Sequence, residues 1–443
     1  MASAAEQLAA NMNLSAFGKA KELQQRIWFT VLALIVYRLG TYIPIPGINI
    51  TAYAQVFENQ SDGILGMINV FSGGAVQRLA VFTLTVMPYI SASIIMQLMQ
   101  ATVPSLMALK KDGEAGRKTL NQYTRYLTVV LAIVQSFSIA ISLENSPNVV
   151  NDIGWFFRAS TVFTLVSGTM FLMWLGEQVT ARGVGNGISL IIFAGIVAAL
   201  PGAVVQTLQM AQQGSLAPIA LLVIFVLAVG VVLFIVFVER SQRRLLIQYP
   251  KRQRGNKMMG GESSFLPLKL NTPGVIPPIF ASSLLLLPAT LAGFSAQSGP
   301  DWLQMIVASL GNGKPLYMAT YAAGIIFFCF FYTSIVFNPE ETADNLRKNG
   351  GFLPGIRPGE RTAKYLDYVL TRLTVIGALY LTLVCLMPVV VMNAYAVPYY
   401  LGGTSILIVV SVTMDTVAQI QSHLIAHQYE GLIKKSRMRG RRR

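Results

Sequence analysis

Residues 216–238 read LAPIALLVIFVLAVGVVLFIVFV, an unbroken apolar run that contains no charged side chain. A helix needs about 20 mostly apolar residues to cross the hydrocarbon core of a bilayer, so this run predicts a transmembrane helix. Further apolar runs precede and follow it. The ten candidate spans are 27–43, 79–103, 123–143, 155–175, 188–205, 216–238, 274–291, 316–337, 369–392 and 405–423. Because these runs are continuous and do not alternate with polar residues, they exclude an outer-membrane β-barrel.

The composition agrees with a membrane-embedded chain. Hydrophobic residues make up 53% of the sequence and charged residues 12%, whereas a soluble domain carries about 25% charged residues. Cys329 and Cys385 both lie inside apolar runs, which excludes a cysteine metal cluster and argues against a structural disulfide. A polar segment, 1–26, precedes the first apolar run. No small-residue cleavage site follows that run, so we expect a retained helix.

Basic residues are concentrated on one side of the predicted spans. Of the 34 Lys and Arg residues, all but Arg38, Arg78, Arg158 and Lys314 fall in the N-terminal segment, in alternate loops or in the C-terminal tail. Cytoplasmic loops carry such an excess, so both termini are predicted to be cytoplasmic. With five helices in each half, helices one and six start on opposite sides of the membrane, which predicts two inverted halves.

These patterns predict an all-α polytopic membrane protein with ten transmembrane helices in two inverted five-helix halves. The predicted regions are a cytoplasmic segment 1–26, a first half 27–211, a second half 212–430 with long cytoplasmic loops at about 239–272 and 338–368, and a basic cytoplasmic tail 431–443.

The loop between the first two spans contains a short apolar segment, 62–74, that is flanked by glycines and is too short to span a bilayer. It either caps the outer face or folds back as a small helix into a cavity, because irregular backbone is tolerated at membrane depth only where it is buried or lines a cavity. The sequence does not decide between these two interpretations.

Each of the two long cytoplasmic loops could bind a partner. The first contains the basic run 250–257, PKRQRGNK, which is explained equally well by the positive-inside rule and by an anionic partner such as ribosomal RNA. The second starts with Asn338-Pro339-Glu340-Glu341, a typical helix start. It continues to Arg357, which lies between Pro354 and Pro358. Because this loop is long and has its own structural signals, we expect it to be more than a connector.

Other function classes are poorly supported. A secondary transporter needs charged or polar groups at mid-membrane, and the clearest charges within spans, Arg38 and Asp415, lie near span ends. The glycines of 183–187 do not follow a strand or have dinucleotide-site spacing, and His423 and His427 lack the Glu of a zinc protease. Neither a nucleophile-elbow motif nor a P-loop is found, so an intramembrane enzyme lacks its catalytic set.

Several motifs in this order resemble the SecY family of bacterial protein-export channels. They are FSGG at 71–74, MPYISASI at 87–94, GEQ at 176–178, GNGIS at 185–189, GVIPPIFA at 274–281, FNPEETADNL at 337–346 and IRPGE at 356–360. The resemblance extends over nearly the whole chain. It implies a two-half clamshell around a central hourglass pore through which unfolded polypeptides cross the membrane, without a cofactor, a metal or a catalytic residue.

The resemblance also implies roles for particular residues. The pore ring would be Val86, Ile90, Ile192, Ile279 and Ile408. The plug, about 62–74, would include Asp62, Ile64, Leu65, Met67, Ile68, Phe71, Gly73 and Gly74. The lateral gate, between helices two and seven, would include Ser91, Gln97, Ser282, Ser283 and Leu287, with Ser91 facing the region of Leu287. Docking surfaces would be Arg357, Pro358, Gly359 and Glu360, with Arg252, Arg254 and Lys257 in the earlier loop.

The family further implies partners and a location. The expected partners are SecE and SecG, the SecA ATPase, the ribosome, signal peptides and nascent polypeptides, anionic lipids and accessory membrane-insertion factors. The expected location is the bacterial inner membrane. An apolar ring suits a conduit for varied peptides, because an empty apolar constriction dewets and blocks ions.

Overall fold

The computed structural model describes residues 21–60, 69–146, 148–214, 218–249, 252–254, 257–259, 263–293, 314–395 and 402–440. The helices of the first half are α1 (Lys21–Gly40), α2 (Ile50–Gln60), α3 (Met87–Thr102), α4 (Pro104–Lys111), α5 (Gly113–Glu144), α6 (Trp155–Arg182) and α7 (Gly187–Gln212). Those of the second half are α8 (Pro218–Arg240), α9 (Ile276–Gly293), α10 (Pro315–Val336), α11 (Pro339–Lys348), α12 (Glu360–Tyr395) and α13 (Gly403–Gly440). Four short strands, β1 (Gln242–Gln248), β2 (Arg252–Arg254), β3 (Lys257–Met259) and β4 (Ser263–Lys269), lie between α8 and α9.

Each of the ten predicted spans overlaps one long helix, namely α1, α3, α5, α6, α7, α8, α9, α10, α12 or α13. Within the described ranges, seven helical stretches are long and apolar enough to cross a membrane. An eighth is counted if α3 and α4, which are bent by 102° relative to each other, form one span. The chain is therefore a membrane protein, and its helices are consistent with the ten-span prediction.

The second span begins later than its apolar sequence suggests. The prediction started at Leu79, but the backbone from 72 to 86 forms turns, and α3 begins at Met87. Leu79 and Thr85 have positive φ angles of 44° and 52°, which a helix does not allow. The turns are held together internally, for example by the Thr83 hydroxyl, which donates to the Ala80 carbonyl oxygen at 2.6 Å. Pro88 lies in the first turn of α3, where proline is well tolerated.

Ion pairs and close backbone contacts join the helices of the first half. Arg125 on α5 donates twice to the Glu177 carboxylate on α6, at 3.0 and 2.7 Å. Near the other end of the same two helices, Arg158 and Glu144 form a second ion pair at 2.6 Å. Glu144 is only 5% exposed, whereas Arg158 is 37% exposed, so the second pair combines a buried carboxylate with a guanidinium at the surface, and the two pairs join α5 to α6 at two separate places.

Glycines allow α6 and α7 to approach each other closely. A Cβ atom added at Gly187 would lie 2.0 Å from the carbonyl oxygen of Gly176. In membranes, where lipid is as apolar as the side chains, small residues of this kind are the main means of close helix packing. Before α7, the backbone N–H of Val184 donates to the Thr30 hydroxyl at 3.1 Å, and that of Gly185 donates to the Gln419 side chain at 2.8 Å. The glycine-rich segment is thus a packing junction between α1, α6, α7 and α13.

The first of the two long loops contains a β-ribbon that was not predicted from the sequence. Strand β1 pairs antiparallel with β4, and β2 pairs antiparallel with β3. Leu245 and Leu268 of the ribbon pack against Leu353 and Leu366, which belong to the second long loop and to α12. A backbone bridge between Gln248 and Phe352, with hydrogen bonds of 2.9 and 3.0 Å, joins the ribbon directly to the second loop.

The contact between α6 and α7 predicts the effect of a single methyl group. Gly187→Ala should lower the stability of the detergent-solubilised protein by about 1–3 kcal/mol, because the added Cβ overpacks a backbone contact. Thermal unfolding in detergent measures this. Gly202→Ala is the matched control on the same helix, since an added Cβ at Gly202 meets nothing within 4 Å. Equal melting temperatures for the two variants would contradict the proposed close contact.

Candidate functional site

The five residues predicted for the pore ring come together in one apolar cluster, here called the apolar collar. They come from four helices and both halves: Val86 and Ile90 at α3, Ile192 on α7, Ile279 on α9 and Ile408 on α13. Four of them are buried, and Ile279 is half-buried and packs against the same cluster. All five are uncharged, branched side chains, and both halves contribute to the apolar cluster that contains them.

Helix starts set the positions of the collar residues. The backbone N–H of Ile90 donates to the Val86 carbonyl oxygen at 3.0 Å, which places these two side chains on one face of α3. Asn186 caps α7, and its side-chain oxygen accepts from the N–H groups of Ile188 and Ser189, so Ile192 lies in the second turn. Each of these collar residues thus lies within two turns of a defined helix start.

The described end of the predicted plug, 69–74, is buried beside the collar. Val70 and Phe71 belong to the same apolar cluster as the collar. The Tyr37 hydroxyl donates to the Ser72 carbonyl oxygen at 3.1 Å, and the Arg38 guanidinium donates to the Gly73 carbonyl oxygen. This end of the segment is therefore held inside the protein against α1. Asp62, Ile64, Leu65, Met67 and Ile68 lie outside the described residues.

Two glycines allow the end of the plug segment to pack closely. A Cβ atom added at Gly195 of α7 would lie 2.3 Å from the Phe71 carbonyl oxygen. Gly73 has a φ of +64° and its added Cβ would lie 3.0 Å from the α-carbon of Gly195. Only a residue without a Cβ meets both requirements at little cost, so the FSGG motif reflects this contact with α7.

The predicted gate helices α3 and α9 touch each other. The Ser283 hydroxyl on α9 lies 3.9 Å from the Met87 sulfur on α3. Ser91, Ser282 and Ser283 are all buried. The Gln97 amide donates to the Ser93 hydroxyl at 3.3 Å, but its buried oxygen lacks a hydrogen-bond partner within the described ranges. The side chain of Leu287 lies outside the described part of the structure, so its pairing with Ser91 stays a prediction.

A polar cavity of about 600 Å³ opens one helical turn from the collar. Three of its lining residues, Ser189, Ile276 and Ser411, each precede or follow a collar residue by three positions on the same helix. Both halves contribute to the lining, which includes Asn186, Glu239, Lys269, Asn271, Asp415, Thr416, Gln419 and Ser422. This cavity is here called the vestibule, and it leads from the side of the β-ribbon towards the collar.

The vestibule contains polar residues that the sequence analysis missed. Asn271 donates to the Glu239 carboxylate at 2.6 Å and to the Gly274 carbonyl oxygen at 3.2 Å. Of the polar vestibule residues, Asp415 was named from the sequence as a charge near a span end, and Asn186 and Ser189 belong to the motif at 185–189. The signal that could have found Glu239 and Asn271 is their position directly after one apolar run and before the next.

The residues predicted for docking lie in the two long loops, which contact each other through an apolar cluster and a backbone bridge. Arg357 and Pro358 are exposed, Gly359 is buried, and Glu360 is exposed and pairs with Lys364 at 2.7 Å. The neighbouring Ile356 packs against the same apolar cluster as the β-ribbon. The Thr362 hydroxyl donates to the Arg357 carbonyl oxygen at 2.9 Å. Arg357 is thus an exposed side chain on an anchored backbone.

In the β-ribbon, the backbone register places Arg254 opposite Lys257 and Arg252 opposite Met259. The backbone of all three predicted basic residues thus lies in the hairpin formed by β2 and β3, and their docking role stays a prediction.

Comparisons with known proteins agree with this arrangement. A family model for SecY matches residues 80–417. The protein translocase subunit SecY of Vibrio cholerae is 54% identical over 432 residues, covering 96% of this chain and 97% of the relative. The same subunit of Escherichia coli K12 is 54% identical over 431 residues, with 96% and 97% coverage.

Solved structures share the fold at low sequence identity. One described as a protein-conducting channel has a TM-score of 0.64 at 18% identity, covering 90% of this chain and 92% of that one. Sec61 in a canine ribosome-channel complex from the endoplasmic reticulum has a TM-score of 0.60 at the same identity and coverage. The resemblance inferred from the motifs is thereby confirmed: the chain belongs to the SecY family.

Proposed function

We propose that this chain is the channel-forming subunit of a Sec-type protein translocase. It passes unfolded secretory polypeptides across the membrane and releases apolar segments sideways into the bilayer. The observation that carries the proposal is the apolar collar, which both halves build between a polar vestibule and the buried end of the plug segment. The names of the curated relatives support it. Members of this family are translocase subunits and not enzymes, and the proposed activity needs no catalytic residue.

The collar fits a conduit that must accept many sequences and bind none of them tightly. Its five side chains offer neither charge nor hydrogen bonds. An empty apolar constriction of this kind dewets and resists ions, while a chain in transit meets a surface without specific affinity. In the resting channel, Val70 and Phe71 of the plug segment add to the same apolar cluster and extend the proposed seal.

The seam between α3 and α9 is proposed as the lateral gate. Its described contact is Met87 against Ser283, and hydroxyl contacts across membrane helices contribute only about 0.6 kcal/mol each. A seam of this kind opens at low cost. Each Leu, Ile, Phe or Val of a client favours insertion by about 0.3–0.6 kcal/mol, so a segment of about 20 such residues has ample driving force to leave towards lipid.

The β-ribbon and the second long loop are proposed as the docking module for the driving partners. The backbone bridge between Gln248 and Phe352 makes the two loops one unit, so a partner bound at either loop acts on both. A ribosome is one proposed partner, because the matched Sec61 structure is a ribosome-channel complex. SecA is the proposed second driver, and SecE and SecG are the proposed companion subunits.

The charge distribution supports a plasma-membrane orientation with both termini in the cytoplasm. The proposed docking module belongs to the basic loops, whereas Arg38, which contacts the plug segment at Gly73, lies in the last turn of α1, at the opposite end of that helix from the basic segment 1–26. By the positive-inside rule the basic side faces the cytoplasm. We therefore place the chain in the bacterial inner membrane, with clients entering from the vestibule side.

Polar substitution should open the collar to ions. Ile192→Ser with Ile408→Ser should wet the constriction and raise the resting conductance in a planar bilayer, because a polar lining no longer dewets. Ile196→Ser, one turn further along α7 and fully buried, is the matched control and should stay closed. The measurement is repeated without residues 62–74, which removes the plug segment as an independent seal. A closed double variant lacking this segment would contradict the role of the collar.

Charge reversal should separate docking from topology. Arg357→Glu should slow export of a secreted precursor by about tenfold or more, because the introduced negative charge repels the negatively charged partner surface that Arg357 is proposed to bind. Arg361→Glu, four residues on and also exposed, is the matched control, and Arg254→Glu should have an intermediate effect. Export is measured in membrane vesicles at equal amounts of inserted channel. Equal and mild effects at all three positions would mean that the loops act through bulk charge alone.

Closing the seam covalently should stop export. In a background with Cys329→Ser and Cys385→Ser, the pair Met87→Cys and Ser283→Cys is joined with a short bifunctional thiol reagent. Precursor export should stop, since α3 and α9 cannot part, and a long flexible reagent at the same pair should permit it. The predicted pair Ser91→Cys and Leu287→Cys is tested in parallel. Normal export through a fully cross-linked short seam would show that the gate lies elsewhere.

A further inference from the structure

Two arginines that are 40 positions apart in the sequence meet at a single tyrosine ring. Arg38 lies in the last turn of α1, and Arg78 lies in the turns before α3. Their guanidinium carbons lie 4.9 and 4.2 Å from the centroid of the Tyr42 ring. Arg38 also donates to the Tyr42 hydroxyl at 3.0 Å and to the Gly73 carbonyl oxygen. The fold thus concentrates two positive charges in one small region.

No acidic side chain compensates these charges within the described residues. The ion pairs there are Arg26–Glu22, Arg125–Glu177, Arg158–Glu144 and Lys364–Glu360. One terminal nitrogen of Arg78 is shielded from solvent and has no hydrogen-bond partner within the same ranges. Two neighbouring guanidinium groups repel each other, and a partly buried charge without a partner is unfavourable. An anion bound between them would offset both effects.

The position of the arginines runs against the charge pattern of the rest of the chain. They are two of the four basic residues that fall outside the basic side. Of the other two, Arg158 is already paired with Glu144. A topology signal does not explain basic residues at this end of the helices, because such signals act on the cytoplasmic side. A binding role does explain them.

The surroundings identify the anion. Leu39, Tyr42 and Ile43 next to the arginines are 63%, 53% and 56% exposed, and an exposed apolar surface at the end of a membrane-spanning helix suits a lipid environment. Tyrosine is enriched where the hydrocarbon meets the headgroups. Guanidinium forks match phosphate oxygens in geometry and charge. We propose that Arg38 and Arg78 form a binding site for the phosphate of an anionic phospholipid, at the membrane surface opposite the basic loops.

The site adjoins the end of the plug segment. Arg38 holds the Gly73 carbonyl oxygen, and an added Cβ at Gly74 would lie 3.4 Å from an Arg78 nitrogen. A headgroup that fixes the two arginines also fixes their contacts with this segment. A bound lipid therefore stabilises the closed arrangement. This proposal stands independently of the client and partner assignments above.

Lipid binding to the purified channel tests the site. The delipidated protein is mixed in neutral detergent with phosphatidylglycerol, with phosphatidylcholine or with inorganic phosphate, and bound lipid is counted by native mass spectrometry. Arg78→Gln should retain one phosphatidylglycerol fewer than the unmodified channel, because only the charged fork binds the phosphate. Arg78→Lys should restore part of the binding. Arg158→Gln is the matched control and should retain the full number.

Thermal unfolding supplies the second measurement, since a ligand that binds only the folded state raises the melting temperature. Phosphatidylglycerol should raise the melting temperature of the unmodified channel by several degrees more than it raises the melting temperature of Arg78→Gln. The melting temperature of each variant without lipid shows whether the variant is folded. Unchanged lipid counts in Arg78→Gln would overturn the proposal. The proposal would also be overturned if inorganic phosphate raised the melting temperature as much as the lipid does, because the site would then bind free anions. Displacement of the Arg78-dependent lipid by an acidic peptide would overturn it too, because the site would then bind a client.

Discussion

In the proposed channel, the contact between the two halves at the collar must satisfy two opposing demands. It has to exclude water and ions, which requires close apolar packing, and it has to let the halves part, which forbids strong bonds. Val86 and Ile90 on one side and Ile279 and Ile408 on the other meet these demands with dispersion and burial alone. Contacts of this kind are individually weak and non-directional, so they can be broken and remade without a specific partner.

Strong contacts join helices within the first half, whereas the contact across the seam between α3 and α9 is weak. Within the first half, the Arg125–Glu177 pair and the Gly176–Gly187 approach join helices rigidly. Across the α3–α9 seam, the described polar contact is a hydroxyl against a thioether sulfur at 3.9 Å. Rigid bodies that meet at a weak seam move as units. The β-ribbon and the second long loop pack against α12 through Leu366, so in the proposed function a bound partner moves a helix-anchored unit and not a free loop.

Much of the fold could be predicted because only a few backbone structures can cross a bilayer. All backbone groups must be satisfied within the span, so an apolar run such as 216–238 has few alternatives to the helix α8 that it forms. The start of α3 could not be placed, because the turns before Met87 depend on tertiary hydrogen bonds such as Thr83 to Ala80. The β-ribbon was missed because β1 has three consecutive apolar residues, 245–247, and no alternating pattern, although Leu245 and Ile247 are the two that become buried.

The residues of the candidate site likewise fall into a group that was predicted from the sequence and a group that was not. The collar residues were named from family motifs, and the structure brings them into one apolar cluster. The polar vestibule was not expected, because Glu239 and Asn271 lie far apart in sequence and become a pair only in the fold.

The central claim is that a client passes through the collar. A photoreactive amino acid placed singly at each of the five collar positions, with a client arrested in transit, measures this most directly. The account predicts cross-links to the client from every collar position and none from Ile196 or Ile325. Cross-links from the two control positions, with none from the collar, would contradict it.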